Sequence, residues 1–120
     1  IYSKGVNIFA PTIIDAILDK KGEDLVLMDF RNIKNIVYDY FILCNGTSIT
    51  HNDTLCRNVE EKVYGKLNVK PSHIEGRLNS EWILLDYLNV IVHIFIKEKR
   101  ELYNIENLWA DANINYINKN

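Results

Sequence analysis

The hydrophobic pattern is densest between Glu81 and Ile96, EWILLDYLNVIVHIFI, and reads as two strands, Trp82–Tyr87 and Val90–Ile96, joined at Leu88-Asn89. Near-continuous runs of β-branched and aromatic residues indicate strands covered on both faces. A two-residue loop sets Trp82 opposite Phe95, Leu84 opposite His93 and Asp86 opposite Ile91. One face then carries Ile83, Leu85, Tyr87, Val90, Val92, Ile94 and Ile96, while the other mixes Trp, Asp and His into apolar surroundings. Two registers compete. Leu is unfavourable at a turn position with positive φ, and a three-residue loop with Asn89 in the left-handed region would carry His93 to the opposite face.

Residues 1–9 carry no periodic signal and are expected to form a loosely held arm. From Thr12, the positions Ile13, Ile14, Ile17 and Leu18 follow helical spacing, with Pro11 near the start and Gly22 as the C′ stop. Leu25–Phe30 reads as the first strand and Tyr40–Asn45 as the second, and the apolar connection 31–38 is expected to fold over a core edge. Ser48 or Thr50 caps the next helix, which runs to Leu67. Its positions Leu55, Val59, Val63 and Leu67 recur every four residues, leaving Glu60, Glu61, Lys62 and Lys66 on the solvated face. Pro71 ends the connection, and His73–Gly76 reads as a short edge strand. After Ile96 the spacing of Ile105, Leu108, Trp109 and Ala112 is helical again, with Asn104 as a cap between two short pieces. The final NINYINKN is polar and expected to fray. The predicted order is α-β-β-α-β-β-β-α. That is a single α/β domain over residues 12–112, with a mixed sheet of about five strands flanked by helices. An N-terminal arm (1–11) and a polar C-terminal tail (113–120) bracket it.

Composition narrows the classes. With 120 residues, 48% hydrophobic and 25% charged, the chain is a globular domain large enough to bury a core. A net charge of −2 argues against a broad nucleic-acid footprint, so no direct nucleic-acid readout is expected. No apolar run approaches the roughly 20 residues a membrane-spanning helix needs. Cys44 and Cys56, on a predicted strand and a predicted helix, read as buried reduced thiols that suit a reducing compartment. The chain starts with Ile1 rather than Met, which leaves room for a removed targeting segment.

Candidate chemistry is sparse. Gly46-Thr47-Ser48 follows a strand and opens a helix, a context suited to an anion. Nucleotidyltransferases use such a corner together with two carboxylates spaced i, i+2 on a following strand, where they hold Mg²⁺. Here the following strands offer only Asp86, so the corner reads as a strand-to-helix turn with a Ser cap, and no catalytic residue is assigned. Asp86 and His93 lack a nucleophile elbow that would make a triad, and His93 between Val92 and Ile94 reads as structural. The three His, at 51, 73 and 93, lack metal-site spacing, so neither metal nor cofactor is expected. Trp82, beside Leu84 and Asp86, is either a core Trp or the anchor of a protein-binding face, since Trp is enriched at interface hot spots.

Several ordered pieces resemble the ribosomal silencing factor (RsfS, or Iojap) family: Asp39-Tyr40-Phe41 running to Gly46-Thr47-Ser48, Ile74-Glu75-Gly76, and Glu81-Trp82-Ile83-Leu84-Leu85-Asp86-Tyr87. Val92-His93-Ile94-Phe95 and the stretch from Arg100 to Trp109 continue the match. The resemblance implies a nucleotidyltransferase-like fold without the catalytic carboxylates. It implies a non-enzymatic protein that binds ribosomal protein uL-fourteen on the large subunit and blocks the small subunit from joining. On that basis Trp82, Leu84 and Asp86, with Asp39, Tyr87 and His93 nearby, are the expected contact surface. Arg100, Tyr103 and Trp109 are expected to lock the last helix onto the sheet. Many members have Gly-Asp where this chain has Leu88-Asn89, which bears on the turn geometry. The implied setting is the cytoplasm of a bacterium, or an organelle matrix or stroma if a targeting segment was removed. The alternatives are an active nucleotidyltransferase-fold enzyme and a dimeric interaction module that shares an apolar sheet face with a second copy.

Overall fold

A computed structural model describes residues 2–118, with side chains from residue 8 onward. The order is α1 (Tyr2–Asp19), β1 (Glu23–Asp29), β2 (Tyr40–Gly46), α2 (Ile49–Leu67) and β3 (His73–Glu75), followed by β4 (Trp82–Asp86) and β5 (Val90–Ile96). The chain closes with α3 (Lys97–Tyr103), α4 (Ile105–Leu108) and β6 (Asn113–Asn118). Six strands form one sheet in the order β3-β4-β5-β2-β1-β6. Only the central β2–β5 pair is parallel. The fold is α/β, as expected.

The hairpin takes the two-residue register: Trp82 pairs with Phe95, Leu84 with His93 and Asp86 with Ile91. Tyr87 N–H donates to Val90 O at 2.9 Å, closing the loop. Leu88 carries φ 77°, a left-handed backbone that Gly usually takes, and Asn89 N–H donates back across it to Tyr87 O at 3.1 Å. Pleating then sorts the buried apolar strand residues between two cores. On one face Ile42, Cys44, Ile83, Leu85, Val92 and Ile94 meet α1 and α2 through Ile13, Ile17, Leu55, Cys56, Val59 and Val63. On the other, Val26, Met28, Phe41, Leu43, Ile91 and Phe95 meet Phe30, Ile105, Trp109 and the 31–38 connection, which folds back through Ile33, Ile36 and Tyr38.

The chain ends depart from expectation. Helix α1 starts at Tyr2, so residues 2–11 are helical rather than an arm, and Pro11 lies inside the helix. Pro marks a helix start only when its missing N–H falls in the first turn, and here the helix continues on both sides of it. Residues 113–118 pair with β1 instead of fraying, because β1 offers a free edge that a run of Ile, Tyr and Asn can hydrogen-bond along; residues 119 and 120 lie outside the described chain. The sheet therefore has six strands, not five. Gly22 is not the C′ residue: Lys21 takes φ 63°, with Lys21 N–H to Leu18 O and Gly22 N–H to Ile17 O closing a Schellman motif. Gly22 is needed for space, since a Cβ there would lie 2.4 Å from Ile17 Cγ2. Asn104 separates α3 from α4 through a left-handed backbone, φ 46°, and not through a side-chain cap. Leu108 is exposed, whereas Ile105 and Ala112 of the same expected stripe are buried.

Candidate protein-docking face

The Gly46-Thr47-Ser48 corner is filled by its own helix. Ser48 Oγ accepts from His51 N–H at 3.0 Å, Gly46 N–H donates to Asn52 Oδ1 at 3.0 Å, and Thr47 N–H donates to His51 Nδ1 at 2.9 Å. Asn52 Nδ2 in turn donates to Ser80 O at 2.8 Å. Three N–H groups of the corner, those of Gly46, Thr47 and His51, are thus already engaged within the chain. Among the described residues no group of three or more His, Cys, Asp and Glu converges as a metal site. Both thiols are free and buried, and burial pushes each up to about 12, which leaves them inert.

The distinctive surface is the outer half of the second sheet face. On β4 the alternation brings Trp82, Leu84 and Asp86 to that face, each half-buried. Beside them, short β3 places His73 opposite Asp86 and Glu75 opposite Leu84, with His73 Nε2 2.7 Å from Glu75 Oε2. Trp82 is clamped from three sides. Its ring stacks on Phe95 at 5.0 Å and meets Tyr103 of α3 at 4.7 Å, while Nε1–H donates to His93 Nδ1 at 3.1 Å. At the hairpin tip Asp86 Oδ1 accepts from Leu88 N–H at 2.7 Å, and Asp39 Oδ2 accepts from Asn89 Nδ2 at 3.2 Å. Two carboxylates therefore bond the turn, where Leu88 stands 69% exposed.

Of the six residues expected to make the surface, five gather here and one does not. Trp82, Leu84 and Asp86 form the row, Asp39 sits at its tip, and His93 lies underneath, only 4% exposed. Tyr87 points the other way. It is one residue out of phase with the row, buried against Phe9 at 5.3 Å on the helical face. Burial raises the Tyr87 phenol, and its hydroxyl has no partner among the described residues. Burial also pushes His93 down to about 3, so its ring is neutral throughout the physiological range. Glu75 and Tyr103 belong to the surface but were not assigned to it from sequence. Their placement depends on β3 pairing with β4 and on α3 folding back over β5, neither of which leaves a local signal.

Arg100, Tyr103 and Trp109 hold the C-terminal helices as expected. Arg100 is nearly buried; Nη1 donates to Asn45 Oδ1 at 2.8 Å and to Asp24 O, and Nη2 donates to Glu106 Oε2 at 2.9 Å. Trp109 packs edge-on against Phe30 at 5.4 Å.

A family model described as RsfS, ribosomal silencing factor during starvation, matches residues 6–120. The chain belongs to the RsfS family. It is 34% identical over 94 residues to the ribosomal silencing factor RsfS of Bacillus subtilis (strain 168), covering 78% of each chain. It is 30% identical over 112 residues to the chloroplastic protein Iojap of Arabidopsis thaliana, covering 87% of this chain and 42% of that one. A crystal structure of a protein from Chromobacterium violaceum superposes with a TM-score of 0.80 at 28% identity, covering 87% of this chain and 85% of the other. A Bacillus halodurans structure gives 0.74 at 29% identity, covering 86% and 94%. The Bacillus relative is thus named as a ribosomal silencing factor, and the Arabidopsis relative as a chloroplastic Iojap protein. Among the described residues no helix is long and apolar enough to cross a membrane.

Proposed function

We propose that this chain represses translation by docking on the large ribosomal subunit through ribosomal protein uL-fourteen and obstructing the small subunit sterically. The observation that carries this reading is the Trp82–Leu84–Asp86 row, an apolar strip left half-exposed and bordered by carboxylates. A core sheet would bury the Trp and Leu fully; a docking face needs an aromatic anchor with a polar rim. The border of Asp86, Glu75 and Asp39 complements a basic protein surface, so an acidic domain needs no basic patch of its own to meet the ribosome. The role is binding and not catalysis. Asp86 is the lone carboxylate of its strand, it is already engaged by Leu88 N–H, and the corner that would hold a phosphate is filled. The work is done in the cytoplasm of a bacterium or in an organelle matrix.

Asp86→Asn tests this directly. Asn keeps an oxygen for Leu88 N–H, so the turn stays closed and the melting temperature should hold. Loss of the charge should weaken co-sedimentation with large subunits by about 1–3 kcal/mol, the worth of a hydrogen bond to a charged group. A lowered melting point with intact co-sedimentation would reassign Asp86 to the turn alone. A doubled solution mass together with unchanged ribosome binding would favour the dimeric module.

A further inference from the structure

We infer that His93 is a positioning residue for docking: its Nδ1 holds the Trp82 indole in the binding orientation and does not itself touch the partner. This inference rests on the docking role of Trp82 proposed above. Indole nitrogen is a donor only, so the 3.1 Å contact requires a bare Nδ1 and places the imidazole proton on Nε2. That Nε2 is buried with no hydrogen-bond partner among the described residues. An apolar side chain of similar volume would remove this unpaired donor but leave the Trp82 indole N–H without its acceptor. The acceptor at Nδ1 is what the His supplies and an apolar residue would not.

The geometry shows what the acceptor does. Trp82 pairs across the hairpin with Phe95, whereas His93 pairs with Leu84, one step along the sheet. The bond from Nε1 to His93 therefore draws the indole diagonally over β5, towards Leu84, while Phe95 stacks against it at an interplanar angle of 25°. Released from His93, the indole N–H would seek water and the ring would turn out of that plane. A flat, fixed aromatic loses less freedom on binding than one that must be ordered by its partner. The bond is also insulated from pH. A proton on Nδ1 would face the indole N–H, a donor opposite a donor, and the surrounding Phe41 and Phe95 rings, 4.9 and 6.0 Å away, carry no carboxylate to pair with an imidazolium.

Two variants separate positioning from packing, because they order stability and binding in opposite ways. His93→Leu keeps volume and loses the acceptor; His93→Asn keeps an oxygen near Nδ1 and loses volume. Thermal melts should rank Leu above Asn. Co-sedimentation with purified large subunits should rank Asn above Leu, with the Leu variant weakened about tenfold, the worth of one net hydrogen bond. In ¹⁵N NMR the Trp82 indole resonance should move towards the free position in the Leu variant and stay near its parent position in the Asn variant. Binding that follows stability, or an indole resonance unmoved by His93→Leu, would overturn the role. Trp82→Ala is the control. If it weakens binding while His93→Leu does not, only the role of His93 falls; if Trp82→Ala binds as the parent does, the docking reading falls with it.

Discussion

Leu88 shows how much a single position costs at this hairpin. An L-residue at φ 77° brings Cβ against its own backbone, and the exposed side chain recovers little of that through packing. The turn is held anyway, by Asp86 beneath it and by Asn89, whose side chain reaches Asp39. Leu88→Gly should therefore stabilise the fold by about 1 kcal/mol, a rise of several degrees in melting temperature for a domain this size. A melting temperature that is unchanged or lower would mean that Leu88 makes contacts its exposure does not reveal. Position parity decides much else at this scale. Asp86 and Tyr87 are adjacent in sequence, yet one borders the proposed docking face and the other is buried under α1.

At the scale of elements, the C-terminal helices stay on the sheet through one nearly buried cation. Helix α3 is short, and α4 is a single turn, too short to be stable alone. Arg100 joins them to the sheet by bonding Glu106 of α4, Asn45 of β2 and the Asp24 carbonyl at the β1 bulge. Removing one partner of such a buried pair leaves the others desolvated and unpaired. Arg100→Met should cost about 3 kcal/mol in urea unfolding, since Met keeps the apolar stem but none of the donors. A loss below about 0.5 kcal/mol would place Arg100 among ordinary surface cations. Because α3 also carries Tyr103 against Trp82, this clamp sets one wall of the proposed docking face from across the sheet.

At the scale of the whole molecule, the strand order sets the stabilising edge apart from the proposed docking face. Strand β6 closes the sheet at one edge, whereas β4 and β3 carry the candidate face at the other. Asn118 contributes beyond the ladder: its side chain accepts from Leu25 N–H at 2.7 Å and donates to Gly22 O at 3.1 Å, holding the start of β1. A chain ending at Ala112 should lose about 2–4 kcal/mol, the net worth of several backbone hydrogen bonds. Its folded fraction should bind large subunits with unchanged Kd. A weakened Kd at full folding would show that the far edge takes part in docking.

The hairpin, the stripes of the helix 49–67 and the absence of a second carboxylate were legible in the residues themselves. They depend on periods of two and of nearly four, which local backbone geometry imposes on any chain. The hairpin register, open between a two- and a three-residue loop, was decided by the structure. The family was legible too, from the order of its motifs. What only the tertiary structure decided is everything set by distant partners. Strand β6 exists because β1 had an edge to fill, and Tyr2 begins a helix because its continuation packs on the sheet. Glu75 and Tyr103 reach the proposed docking face through pairing and packing across the fold. His93 moved from the surface to beneath it for the same reason: sequence parity gives the face of a strand, but the depth of a side chain depends on which aromatic neighbours close over it.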